Sequence, residues 1–327
     1  MKMKSWMKDA LGGVAIGTGI LPGVSVGTVG MLVDVYDKLI TSIANLGKEF
    51  KKSVLTLLPI AIGCLLSAFA LLLFWKKVAF PYFPFPIICA LAGMVVASLP
   101  ICAAPLKGIK WDYKDILRVL LGVVIAAAIG VFSFLSASGV ISLQLDVAEA
   151  FKNPFGNAWI FAVVLLVGFI AAIACLIPGI SGSMVLFIFG LYTPVVGLFI
   201  STRDANGNVV DPSIFTDLSN KSYFWGGVVI TLVLLLGMLA GFILVSKAMK
   251  VLMAKHQRGT FTMVIGFVIG SLISMFFNND TYSIYTNPNL NTPLQYILGG
   301  VLFLLVGAAM LFLVVRKTKQ QNELPAE

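Results

Sequence analysis

The chain has 327 residues, of which 59% are hydrophobic and 11% charged, with a formal net charge of +9. Soluble domains carry roughly 25% charged residues, so a chain this apolar cannot clothe itself for water and takes lipid as its solvent. In a soluble protein the positive charge would raise nucleic-acid binding. Here it reads as basic loops held against anionic lipid, and no nucleic-acid partner is expected.

Met1–Leu21 joins a basic start to a short apolar run, the outline of a signal peptide. That reading is set aside, because the run leads into Pro22-Gly23, which has a counterpart later in the chain. The apolar region 10–37 is interrupted at that pair, and each arm is roughly a dozen residues. At 1.5 Å per residue an arm reaches about half of a 30 Å core, so 10–37 predicts a re-entrant hairpin of two half-helices. Three crossings follow at 54–75, 85–105 and 116–138, then an external linker at 141–157. A second interrupted region, 158–200, breaks at Pro178-Gly179. Its first arm approaches 20 residues, so it is either a hairpin arm or a tilted full-length helix. Crossings at 224–246, 261–277 and 296–315 complete the series, with a tail at 319–327. Backbone groups in hydrocarbon must be bonded internally, so helices are expected throughout.

Charge gives the layout a sidedness. With the N-terminus in the cytoplasm and each hairpin returning to its own side, 18 of the 23 basic residues fall inside. Lys76, Lys77, Lys152, Arg203 and Lys221 fall outside. This follows the positive-inside rule, with both termini cytoplasmic. Arg118, at the start of a crossing, is expected to snorkel to the cytoplasm.

The halves repeat. Pro22-Gly23-Val24-Ser25 pairs with Pro178-Gly179-Ile180-Ser181, and Tyr36 and Tyr192 each follow the proline by 14 residues. Gly93–Leu99 is similar to Gly266–Leu272, and Ile116–Gly122 to Pro293–Gly299. Three crossings separate the hairpins, and an odd number inverts the second half. The expected fold is therefore an all-α polytopic membrane protein of two inverted repeats, 1–140 and 158–318, each a re-entrant hairpin followed by three transmembrane helices. Inverted repeats with broken helices meeting near the midplane are a transporter signature.

The breakers are the candidate site. Proline stops the incoming helix, glycine permits the turn, and serine caps the outgoing helix. Free N–H groups at a helix start attract anions. Pro22, Gly23, Val24, Ser25, Gly27 and Thr28 form one tip, and Pro178, Gly179, Ile180, Ser181, Gly182 and Ser183 the other. Ser25, Thr28, Ser181 and Ser183 add hydroxyl donors. The bland alternative is a kink with a serine cap; the paired occurrence favours one shared anion pocket. Tyr36 and Tyr192 read as interfacial or packing groups, with ligand contact the sharper alternative. Asp34, whose internal counterpart is Gly190, is either a proton or cation relay or an interfacial residue beside Asp37 and Lys38. Cys64, Cys89, Cys102 and Cys175 lie in apolar segments without CxxC spacing, and His256 is the only histidine. Neither a metal site nor a cofactor is expected.

These residues resemble the PopT-type polyprenyl-phosphate transporter family. The matching pieces are Gly17–Thr28 with Tyr36–Ile40, and Ile177–Ser183 with Gly190–Tyr192. Val26 and Asp34 depart from the family pattern, which has glycine at both positions. The resemblance implies transport of undecaprenyl phosphate, an anionic lipid carrier of cell-envelope glycans, across the prokaryotic cytoplasmic membrane. Its polyprenyl tail would stay in lipid. Moving an anion inward against a negative interior is costly, so coupling to H+ or Na+ is a further expectation. Two rivals remain: a small-anion transporter or channel, and an intramembrane undecaprenyl-diphosphate phosphatase. Some such phosphatases use a similar turn, but with an arginine in it and paired glutamates nearby. Here the motif has no arginine, and Glu49, Glu149, Glu323 and Glu327 lie in loops or the tail.

Overall fold

The computed structural model describes residues 5–20, 24–74, 82–141, 158–189, 191, 192, 195, 202, 203, 209–211 and 221–322. The first half holds α1 (Ser5–Ile16), a 3₁₀ turn (Gly17–Ile20), α2 (Val26–Leu32), α3 (Tyr36–Ala44), α4 (Phe50–Phe74), α5 (Pro84–Ala103) and α6 (Tyr113–Ala137). The second holds α7 (Ala158–Leu176), α8 (Gly182–Ile188), α9 (Lys221–Lys255), α10 (Gln257–Phe276), α11 (Asn279–Thr286) and α12 (Pro293–Asn322). Thr202–Arg203 and Val209–Asp211 form a small antiparallel ribbon beside this all-helical frame.

Seven of the described helices are long and apolar enough to cross a membrane: α4, α5, α6, α7, α9, α10 and α12. Six coincide with the expected crossings. The seventh, α7, settles the length of the arm before the second breaker, since its 19 residues reach about 28 Å at 1.5 Å each. Three other boundaries differ from the sequence expectation. α9 runs on to Lys255 rather than ending near 246, because its last turns carry Lys247, Lys250 and Lys255 into water without breaking the helix. α12 runs to Asn322, into the expected tail. α11, rich in Asn, Asp, Thr and Tyr, carries too little hydropathy to stand out. The expected linker lies outside the described residues from 142 on.

Helix pairing is the same in both halves. α1 lies along α4 and α7 along α9, while α5 pairs with α12 and α6 with α10. Exchanging each helix for its counterpart in the other half reproduces this set. Glycines make these contacts close. Gly13 of α1 and Gly17 of the 3₁₀ turn after it meet Ile60 and Cys64 of α4, and Gly237 and Gly241 of α9 meet Leu165 and Phe169 of α7. Gly122 and Gly130 of α6 meet Met263 and Ser274 of α10, and Phe85 and Gly93 of α5 meet Gly299 and Phe303 of α12. Each pair advances in one direction along both helices, so each is parallel. Small residues allow such backbone approach where no hydrophobic drive separates protein from lipid. α5 and α10 pack against each other in opposite directions, with Phe85 at the start of one and Phe276 at the end of the other at a ring separation of 6.1 Å. Residues from α2, α5 and α10, including Val29, Ala92, Val95, Val264 and Val268, share the largest buried apolar cluster with Val24. Outward faces of α4 and α12 remain apolar and exposed, as lipid contact requires.

Candidate functional site

The second breaker is a tight turn. α7 ends at Leu176, and Pro178 has no N–H with which to continue it. Ile180 N donates to Ile177 O at 3.2 Å, and Gly179 has φ +89°. Proline then glycine at the central positions, with positive φ at the second, is the signature of a type II turn. Gly179 sits half-way along α10: a Cβ there would overlap the backbone at Phe267 and Val268. After the turn, α8 starts at Gly182. In the first half Pro22 and Gly23 lie outside the described residues. Ser25 is the N-cap of α2, with extended backbone and a hydroxyl that accepts from Thr28 N at 3.4 Å.

The two breakers meet directly. Gly179 N donates to Thr28 Oγ1 at 2.8 Å and to Ser25 Oγ at 3.1 Å. Ser25 Oγ donates to Ile177 O at 3.2 Å. Tyr36 Oη donates to Leu176 O at 2.9 Å. Gly27 completes the contact: a Cβ there would lie 2.8 Å from Leu176 O and from Pro178 N. Ser25, Thr28 and Tyr36 are 2%, 1% and 2% exposed, so their hydroxyls are shielded from bulk solvent. The physical reason is local. A turn at Pro178 leaves the Leu176 carbonyl and the Gly179 N–H without a partner in the turn itself, and buried backbone groups left unpaired in a membrane cost several kcal/mol each. Hydroxyls from the first half satisfy both, and Ser25 adds a second donor to Ile177 O.

The remaining candidates fall around this contact. Val24 is buried in the core beside α5 and α10. Ile180 is buried in a cluster that includes Val164 and Phe267. Ser181 and Ser183 are buried, with their hydroxyls 2.8 Å apart. Gly182 presses on α7, where a Cβ would lie 2.5 Å from Ala171 O. Tyr36 is a buried packing group with a hydroxyl bonded across the halves, while Tyr192 is half-buried.

Asp34 has a conformational task. Its φ is +57°, a left-handed backbone that glycine adopts freely and Asp or Asn tolerate. Val35 N donates to Gly30 O at 2.9 Å and Asp34 N to Met31 O at 3.3 Å, a Schellman end to α2. In the second half Leu191 N donates to Leu186 O at 2.8 Å, the same bond at the same spacing. Asp34 is exposed.

A charged cluster away from the breakers escaped the sequence reading. The Asp115 carboxylate, buried at the start of α6, accepts from Arg118 Nη1 at 3.0 Å, from Arg258 Nε of α10 at 3.0 Å and from Asp112 N at 3.0 Å. Arg118 is thus ion-paired as well as half-exposed. The signal was Asp112-x-x-Asp115, a capping box before an apolar run. The cluster ties the first half to the second where α6 and α10 both begin. Elsewhere in the first half, Lys38 of α3 binds Asp9 of α1 at 2.6 Å. Among the described residues, no three of His, Cys, Asp or Glu gather as metal ligands, and the four cysteines are free thiols.

A polyprenyl-phosphate transporter of Staphylococcus aureus is 27% identical over 280 residues, covering 84% of this chain and 88% of the relative. A polyprenyl-phosphate transporter of Vibrio cholerae is 24% identical over 288 residues, covering 83% of this chain and 78% of the relative. No solved structure matches the chain. Residues 16–292, spanning both breakers and six of the seven long helices in full, match the VCA0040-like family described as undecaprenyl phosphate translocase-like, and the chain belongs to that family.

Proposed function

We propose that this protein carries undecaprenyl phosphate across the prokaryotic cytoplasmic membrane and so returns the glycan carrier lipid to the inner leaflet. Family membership is the observation that carries this reading. Two relatives named as polyprenyl-phosphate transporters, each aligned over most of both chains, support the substrate class. The phosphate is held between the two breakers, whose residues supply hydroxyls and amides at half the height of α10. The polyprenyl tail stays in lipid through a lateral opening.

The breaker residues carry no carboxylate for metal-assisted phosphoryl chemistry, and the reading is transport rather than hydrolysis. The matched pairing of helices, with α5 and α10 opposed in direction, supports an inverted-repeat mechanism in which one hairpin-bearing half moves against the other. Both termini lie in the cytoplasm. Inward movement of an anion against a negative interior costs about 2.3 kcal/mol per charge per 100 mV. A proton or sodium gradient offsets that cost, and Asp34 is the acidic residue nearest the first breaker in sequence.

The test is leaflet exchange by the purified protein in liposomes, with and without ion gradients. Undecaprenyl phosphate should move, while undecaprenol, which lacks the phosphate, should not. Uptake of inorganic phosphate without lipid exchange would replace this reading with a small-anion transporter. Release of phosphate from undecaprenyl diphosphate at catalytic rates would replace it with a phosphatase.

A further inference from the structure

We infer that the bonds joining the two breakers form a clasp that substrate phosphate must open, and that Tyr36 is a positioning residue of the closed clasp rather than a ligand. This rests on the proposed phosphate site. A phosphate oxygen needs donors, and for two donors of the breaker contact the structure shows the present acceptor: Gly179 N–H and Ser25 O–H. Both are engaged. Gly179 N–H is shared between Thr28 Oγ1 and Ser25 Oγ, and Ser25 O–H is given to Ile177 O. Thr28 Oγ1, at 2.8 Å, stands where an anion oxygen would stand on Gly179 N–H. The bonds are direct and the hydroxyls buried, so phosphate cannot be added to the contact without breaking them. The hydroxyls and the N–H satisfy one another until the anion exchanges for that mutual bond.

Tyr36 holds the same contact from one side. Its hydroxyl donates to Leu176 O, not to a group the phosphate would use. Its ring is packed in a buried cluster with Leu176, Val245 and Met249, joining α3, the end of α7 and the last turns of α9. Tyr36 therefore fixes the second breaker against the first through a carbonyl and leaves the donors to Ser25 and Thr28. Affinity for a ligand that needs the open form is reduced by the fraction of molecules that are open. Removing a clasp bond that is not a ligand bond should therefore tighten binding. Removing a ligand would weaken it.

The experiment measures amide hydrogen exchange at Gly179 and the dissociation constant for undecaprenyl phosphate, with the full-length protein in nanodiscs. Tyr36→Phe keeps the ring and loses the hydroxyl. It should speed Gly179 exchange in the lipid-free protein about fivefold, the effect of one net hydrogen bond, and lower the dissociation constant by about the same factor. Thr28→Val should also speed that exchange, and Thr28→Ser should restore it. Unchanged exchange with weaker binding would make Tyr36 a ligand and overturn the clasp. Faster exchange throughout α3 and α9, rather than at Gly179, would reduce Tyr36 to general packing and overturn it too. If wild-type protein fails to bind undecaprenyl phosphate, the proposed function falls, while the exchange result at Gly179 still decides the clasp.

Discussion

The two breakers share a sequence and divide the work. In their mutual contact, among the described residues, the first contributes side chains: the hydroxyls of Ser25, Thr28 and Tyr36. The second contributes backbone: the carbonyls of Leu176 and Ile177 and the N–H of Gly179. A repeated motif thus serves as both halves of one complementary surface. Physics demands such a partner, because a proline-broken helix inside a membrane exposes backbone groups that lipid cannot satisfy. The same spacing carries over to the helix ends, where Val35 N–Gly30 O and Leu191 N–Leu186 O close α2 and α8 alike. Asp34, which follows the first of these ends, has Gly190 as its sequence counterpart.

The largest effect should come from breaking the backbone side. Gly179→Ala puts a Cβ into the α10 backbone at Phe267 and Val268 and forces a side chain onto φ +89°. Left-handed strain and overpacking together should destabilise by about 3 kcal/mol or more, read as loss of folded protein in a thermal assay. On the side-chain half the corresponding close approach is Gly27, where a Cβ would lie 2.8 Å from Leu176 O and Pro178 N. Gly27→Val should cost about 1–3 kcal/mol, with transport lost at temperatures where the protein remains folded. A variant that transports normally would separate this contact from function. The smallest effect is expected at the bend. Asp34→Gly suits φ +57° and should stabilise by up to about 1 kcal/mol in the same thermal assay. Because it also removes the carboxylate, gradient-dependent transport measured alongside assigns the residue's role. Retained dependence leaves Asp34 as a helix-ending residue, and lost dependence makes it the coupling group.

Much of the fold was legible because bilayer thickness and backbone pairing leave few choices. Apolar runs gave the crossings, and Pro178-Gly179 gave the second break. α11 was hidden because Asn279–Thr286 has no apolar stripe to betray it, and α9 outran its apolar stretch because lysines do not end helices. The candidate site was legible only as residue types. That Thr28 and Ser25 would face Gly179, more than 150 residues away, depends on how the halves pack. No local propensity encodes it. Asp34 was visible as a departure, but its reason, a left-handed backbone, required φ. Asp115 was legible as a cap and illegible as the acceptor for Arg258, which joins it only when α6 and α10 run parallel.

The central claim is that phosphate is held where the two breakers meet. Its most direct test is the dissociation constant for undecaprenyl phosphate in folded wild-type protein and in the double variant Ser25→Ala, Ser181→Ala. Two lost bonds to a charged ligand, partly offset by a looser clasp, should weaken binding by roughly thirtyfold or more. An unchanged dissociation constant in a folded double variant would contradict the account.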